Sequence, residues 1–276
     1  MAGTLYLVGT PIGNLGDISP RALDTLRSAD FIAAEDTRVT MKLLNHFEIK
    51  KPLVSYYEHN RASSGARILE RLLAGESCAL VTDAGMPAIS DPGEDIVRQC
   101  AETGVRVVTV PGPCACVSAL AMSGLPTGRF CFEGFLSVTK RQRMEHLESL
   151  RGEKRTMIFY EAPHKLLKTL QDMLSVFGDR KIALCREMTK LHEECIRTTL
   201  SEAAARYAEE APRGEFVLIV SGAPEAEEPT VTEDAALALV DKYRAEGHSL
   251  KDACRMAASD TGFAKNELYA LAVNRE

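Results

Sequence analysis

The stretch that most constrains what this chain can fold into is Cys78 to Gly93, CALVTDAGMPAISDPG. It opens on a short apolar run, Cys78 to Val81, of the kind found in a strand buried on both faces. The run breaks at Asp83 into a loop holding Gly85, Pro87, Pro92 and Gly93, and a helical pattern starts at Glu94. Glycine permits close backbone approach or positive φ, and proline fixes φ, so the connector is built stiff. In open α/β sheets ligands bind where such loops leave the carboxyl ends of strands. A rigid turn without a ligand is the competing reading.

Other segments repeat the plan. Thr4 to Val8 alternates as a strand and runs into GTPIGNLGDIS, which is neither G-x-G-x-x-G nor a phosphate loop with a Lys-Ser/Thr pair. Classical dinucleotide binding and ATP hydrolysis lose support there. Ser19-Pro20 starts a helix. Phe31 to Ala34 reads as a strand ending in Glu35-Asp36-Thr37-Arg38, charge at a strand exit that serves either chemistry or a helix cap. Pro52 to Tyr56 is followed by Tyr57-Glu58-His59-Asn60, and Val105 to Val110 exits into Pro111-Gly112-Pro113 before the small residues Cys114, Ala115 and Ser118. Five strand–helix units of this kind imply an α/β domain with a mostly parallel sheet.

A Gly/Pro stretch, Ser123 to Gly128, separates a second α/β pattern. Its strands are expected at Phe130 to Phe135, Thr156 to Tyr160, Lys181 to Arg186, Cys195 to Leu200 and Phe216 to Val220. Charge again gathers at strand exits, at Glu161 with His164 and Lys165 and at Arg186, Glu187 and Lys190. Gly222 to Glu228 reads as a second linker. The C-terminal stretch beyond it is helical, with a capping box at Ser249 and Asp252 and a glycine turn at Gly262. It resembles a helix-turn-helix, with a packing or dimerisation appendage as the alternative. The divisions expected are 1–122, 123–224 and 225–276.

Composition narrows the classes. At 276 residues and 45% hydrophobic, the chain can fill two cores and a small third. Its net charge of -6 means that nucleic-acid contact must come from local basic patches. Lys140 to Arg143, Arg151, Lys154, Arg155, Lys165 and Lys168 are the candidates, with a solvated helix face as the bland reading of the Lys140 run. No apolar run approaches the roughly 20 residues of a membrane span, and none reads as a signal. The eight cysteines form no C-x-x-C, and the six histidines no H-E-x-x-H. Reduced thiols, a cytoplasmic location and no metal are expected.

The motifs LYLVGTPIGNLGD, AAEDTR, DAGMPAISDPG, VPGPCA, FYEAPHK and CREMTKLHEE, in that order, resemble the tetrapyrrole methylase superfamily. The resemblance runs end to end. Within that superfamily it is to the branch that methylates the 2'-oxygen of cytidine 1402 in 16S ribosomal RNA of the small subunit. Cys114 stands where serine is usual, Tyr57 where histidine is frequent and Lys165 where arginine is common.

The resemblance implies two α/β domains with S-adenosylmethionine folded between them, a small C-terminal helical domain and a homodimer. Cofactor contacts are implied at Pro11, Gly85, Met86, Ile89, Ser90, Cys114 and Ala115. From the second domain they are implied at Tyr160, Ala162, Arg186 and the strand beginning near Glu215. For the base that takes the hydroxyl proton, Glu35 and Asp36 are the candidates, with His59 and Glu187 as alternatives. Arg38 or Lys190 would hold phosphate or steer the ribose. A salt-bridged brace between the domains is the non-catalytic alternative for each of these residues. A superfamily enzyme acting on a tetrapyrrole or another small molecule, and a binding module without chemistry, are the rival functions.

Overall fold

The computed structural model describes residues 2–224 and 232–275. Strands β1 (Thr4–Val8), β2 (Phe31–Ala34), β3 (Leu53–Ser55), β4 (Cys78–Val81) and β5 (Arg106–Val110) form a parallel sheet in the order β3-β2-β4-β1-β5. Around it run α1 (Pro20–Ser28), α2 (Thr37–His46), α3 (Arg61–Leu73) and α4 (Glu94–Thr103), while α5 (Ala115–Ser123) follows β5 and leaves this sheet. Alternate residues of β4 enter different cores. Cys78 and Leu80 pack with Phe31, Ile68 and Ile96, and Ala79 and Val81 with Leu26, Ile32 and Leu44. A strand covered on both sides has no polar face, which is why β4 reads as a continuous apolar run. The sheet order reverses around β1 and β4, so the loops leaving these two strands flank a crevice.

The second sheet holds β6 (Phe130–Phe135), β7 (Thr156–Glu161), β8 (Lys181–Arg186), β9 (Glu194–Thr199) and β10 (Phe216–Val220), ordered β6-β7-β10-β8-β9. It is mixed. Only β6 and β7 pair parallel, because β10 inserts antiparallel between β7 and β8. Helices α6 (Lys140–Ser149), α7 (Leu166–Phe177) and α8 (Leu200–Glu209) cover one face. The other face is covered by α5, whose Cys116, Ala119 and Leu120 pack on Ile158, Ala183, Val217 and Ile219. α5 is mostly apolar even on the side turned away from this sheet, where Val117, Ser118 and Ala121 stay exposed. It belongs by order to the first five units and by packing to the second sheet, which joins the two sheets across a cleft.

Contacts group the chain into two units, Met1–Ala223 and Pro224–Glu276. Much of the expected linker, Gly222 to Glu228, lies outside the described residues. The second unit contains α9 (Glu233–Ala245), α10 (Leu250–Thr261) and α11 (Lys265–Val273) around Ala236, Val240, Ala253, Cys254, Ala257 and Leu268. Ser249 Oγ accepts from Asp252 N (3.2 Å) at the start of α10, and Gly262 ends it in the left-handed region at φ 77°. That conformation favours glycine.

Candidate active site

Three loops from the carboxyl ends of β1, β4 and β5 are locked together. Thr10 and Gly85 exchange backbone hydrogen bonds (2.9 and 3.2 Å), and Thr10 Oγ1 donates to Thr82 O (3.1 Å). A Cβ on Gly9 would lie 2.6 Å from Gly112 Cα, so the loops after β1 and β5 meet backbone to backbone. Gly85 is required by its φ of +92°, since a Cβ there would find only ordinary contacts, none nearer than 3.5 Å. In the same stretch Ala88 and Ser90 take positive φ without being glycine (67° and 62°). Backbone held this way persists only where its surroundings enforce it, and it gathers at functional sites.

Between the two sheets lies a cavity of about 400 Å³. Ile12, Gly85, Met86, Ile89, Ser90, Cys114 and Ala115 line it from the first sheet's loops. Phe135, Tyr160, Ala162, Cys185, Met188 and Val217 line it from the second. Tyr160 Oη accepts from Cys116 N (3.1 Å) at the start of α5, and Phe132 and Phe135 pack edge-on against its ring. Phe135 and Ile89 remain 56% and 46% exposed, apolar surface turned toward the cavity rather than into a core.

One wall is acidic. Glu35 accepts from Thr82 Oγ1 (2.9 Å), Asp83 accepts from Asp36 N (3.1 Å), and Asp91 completes the group. Burial and then the charge of Glu35 push the Asp91 carboxyl up to about 6. Among the described residues no lysine or arginine forms an ion pair with any of the three. No cluster of ligands suited to a metal occurs among those residues either.

The opposite wall carries its own counter-charge. Lys190 Nζ lies 3.0 Å from Glu187 Oε1 and 3.0 Å from Glu215 Oε2, and Glu187 Oε1 also accepts from Glu215 N (3.1 Å). The hydrogen bond from Lys190 holds Glu187 below the usual carboxylate range. Glu187 and Thr189 bend this turn through φ of 50° and 65°. A second cavity, about 390 Å³, adjoins the first through Ile12, Thr82, Asp83, Ala84, Lys190 and Glu215, and Pro11 lines it rather than the first.

Residues 4–204 match the model of the tetrapyrrole (corrin/porphyrin) methylases, and residues 230–276 match the RsmI C-terminal HTH domain. The chain belongs to the tetrapyrrole methylase family. It is 46% identical over 275 residues to the ribosomal RNA small subunit methyltransferase I of Synechocystis sp., covering 99% of both chains. To the protein of the same name from Halalkalibacterium halodurans it is 50% identical over 270 residues, covering 97% of this chain and 93% of that one. Among solved structures, the diphthine synthase fold superposes with a TM-score of 0.60 at 16% identity, over 79% of this chain and 90% of that one. Uroporphyrin-III-C-methyltransferase from Thermus thermophilus does so with 0.56 at 19%, over 79% and 94%.

In this family member the cavity gathers Glu35, Gly85, Met86, Ile89, Ser90, Cys114, Ala115, Tyr160, Ala162, Glu187, Lys190 and Glu215. Five residues singled out from the sequence lie elsewhere, Pro11 in the adjoining cavity and four outside both. Asp36 caps α2, and its carboxylate, held down to about 2 by hydrogen bonds from Arg38, lines neither cavity. Arg38 is the solvent-side partner in that pair, its side chain 87% exposed. His59 sits on an outer turn beside Tyr57. Arg186 points to Glu194 (3.0 Å) across the β8–β9 pair instead of to the cavity. Asp83, Asp91, Phe135 and Met188 line the cavity and were not among the expected residues. The two aspartates stand inside the motif DAGMPAISDPG, which was the available signal.

The basic surface also needs correction. Arg143 is buried, donating to Asp172 Oδ2 (2.7 Å) and Ser137 O (2.9 Å). Arg141, Arg151 and Arg155 pair with Glu145, Glu148 and Glu153. Lys140, Lys154, Lys165 and Lys168 remain available for phosphate.

Proposed function

We propose that this chain is an S-adenosylmethionine-dependent methyltransferase acting on the 2'-oxygen of cytidine 1402 in 16S ribosomal RNA of the small ribosomal subunit. The observation that carries the reading is one cavity onto which the loops DAGMPAISDPG, VPGPCA and FYEAPHK all converge. It does so in a chain 46% to 50% identical, over nearly its full length, to ribosomal RNA small subunit methyltransferases I.

S-adenosylmethionine suits the cavity's chemistry. About 400 Å³ falls within the usual range of roughly 300–1,000 Å³ for ligand pockets. Uncovered Ile89 and Phe135 suit a flat purine. The first turn of α5, with no side-chain cap, suits a carboxylate. The unpaired acids Glu35 and Asp91 suit ammonium and sulfonium charge. When bound, the cofactor supplies a methyl group carried on a positively charged sulfur. Gly85, Met86, Ile89, Ser90, Cys114, Ala115, Tyr160 and Ala162 would hold it, with Pro11 and Glu215 at the cavity's edge.

The chain's own work is alignment and proton removal. Holding a ribose oxygen in line replaces a bimolecular encounter with a positioned one. Of the acids considered for the proton, Glu35 and Glu187 reach the cavity. Glu187 is committed to Lys190, and no chemical step is assigned to Asp36, Arg38 or His59.

We further propose a homodimer in the cytoplasm. Eight free thiols suit a reducing compartment, and no described helix is long and apolar enough to cross a membrane. Sedimentation equilibrium tests the dimer.

Methyl transfer from labelled S-adenosylmethionine to small subunits lacking the modification, followed by nucleoside analysis, tests the function. A 2'-O-methylcytidine at a single site is expected. Bound cofactor without transfer to subunit or RNA would favour a small-molecule substrate.

A further inference from the structure

The second cavity has a composition of its own. Val39, Lys42 and Leu43 of α2 stand three and four apart, so one helical face forms its wall, with Leu15 also lining it. Leu15 and Val39 are 42% and 38% exposed, aliphatic surface that a planar base covers well. Lys42 forms no hydrogen bond or ion pair with any described residue, whereas Lys190, also lining this cavity, is held by two glutamates.

The junction with the first cavity is where a nucleophile must stand to receive a methyl group. Two carboxylates line both cavities, Asp83 and Glu215. Glu215 is 82% exposed and paired with Lys190. Asp83 accepts from Asp36 N through one oxygen (3.1 Å), and its other oxygen has no partner among the described residues.

We propose that the second cavity receives the target nucleotide of the RNA, its base between Leu15 and Val39, a phosphate on Lys42 and the 2'-hydroxyl donating to Asp83. This rests on the RNA methyltransferase reading above. As the oxygen–carbon bond forms, the carbon–sulfur bond breaks with both electrons staying on sulfur, and the hydroxyl proton passes to Asp83 Oδ2. Asp83 thus becomes a catalytic residue and Lys42 a positioning residue. Partial burial raises the Asp83 carboxyl above its ordinary range, in the direction that improves a base, against the hydrogen bond from Asp36.

The test measures binding of wild type, Lys42→Ala and Asp83→Asn to unmethylated and 2'-O-methylated small subunits, without cofactor and across a salt series. Calorimetric binding of S-adenosylhomocysteine reports separately on the first cavity. Lys42→Ala is expected to weaken subunit binding about fivefold or more and to lower the salt slope by about one. Its affinity for S-adenosylhomocysteine should stay within about twofold of wild type, as expected for a site it does not line. Asp83→Asn is expected to abolish the preference for unmethylated subunits and to slow single-turnover transfer about 10²-fold or more. If Lys42→Ala weakens S-adenosylhomocysteine instead of the subunit, the second cavity holds part of the cofactor and the proposal falls. If Asp83→Asn keeps both preference and rate, the hydroxyl lies elsewhere. Wild type that transfers nothing to subunits removes the RNA reading itself. Wild type that transfers, with both variants unaltered, removes only this site.

Discussion

A Cβ on Gly13 would stand 2.5 Å from Cγ of Lys190. The loop after β1 and the turn after β8 therefore touch where any side chain on the first would displace the second. Thr189 Oγ1, 2.9 Å from the same point, closes the other way out. Gly13→Ala is expected to push Lys190 off Glu187 and Glu215 and to cost about 1–3 kcal/mol through overpacking. Gly128→Ala, with nothing within 4 Å of its Cβ, is the control and should stay within about 0.5 kcal/mol. Thermal unfolding of the two variants decides it.

Cys114 should be the reactive thiol of this chain. Its sulfur lies 3.4 Å from that of Cys116, whose thiol hydrogen bond lowers it, and N–H groups at the start of α5 lower it further against partial burial. Burial pushes Cys100 up to about 11 and Cys78 up to about 12. Iodoacetamide near neutral pH is expected to label Cys114 first, because the thiolate is the nucleophile. Because Cys114 lines the cavity, S-adenosylhomocysteine should protect it. Peptide mapping that finds labelling undiminished by the ligand would place the cofactor elsewhere.

Asp91 makes stability depend on pH in the less common direction. Its carboxyl is raised from 3.8 to about 6, so between those values the folded chain binds the proton more tightly than the unfolded chain. Stability from this group is present below the ordinary value and is lost as pH rises through about 6. Asp91→Asn should therefore stabilise the chain above that window and change little below it. Discounted for partial exposure, the gain is on the order of 1 kcal/mol. Urea unfolding of both proteins on either side of the window measures it. An equal gain at both pH values would show that charge is not the cause.

Much of this architecture is legible in the sequence. Each strand expected from apolar runs and turn residues occurs within a residue or two, because burial on both faces leaves a continuous apolar run in β4 and β10. The stiff loops announce themselves through Gly85, Pro87 and Pro111-Gly112-Pro113. What stays hidden depends on pairing across space. No local pattern shows that β10 inserts antiparallel between β7 and β8, nor the β8–β9 register that sets Arg186 against Glu194. Charge at a strand exit likewise carries no direction. Glu35 faces the cavity and its neighbour Asp36 caps a helix, since successive residues leaving a strand point opposite ways. Asp83 is masked in the same way, because the glycines and prolines beside it already account for a stiff turn.

Arg143 closes the RNA question for its own helix. Its guanidinium is buried against Asp172 (2.7 Å) and also donates to Ser137 O and Val138 O (2.9 and 3.2 Å), with side-chain exposures of 5% and 14% for the pair. Removing one partner strands the other charge and two carbonyls, so Arg143→Ala is expected to cost about 3–5 kcal/mol. The paired change Arg143→Met with Asp172→Leu should recover much of that, because two apolar side chains need no partner there. Arg141→Ala, whose side chain is 86% exposed beside Glu145, should cost less than about 1 kcal/mol. If Arg143 instead bound phosphate, Arg143→Lys would raise KM for the subunit with little change in melting temperature. Burial predicts the reverse: a melting temperature that falls and a KM that holds at temperatures where the variant stays folded.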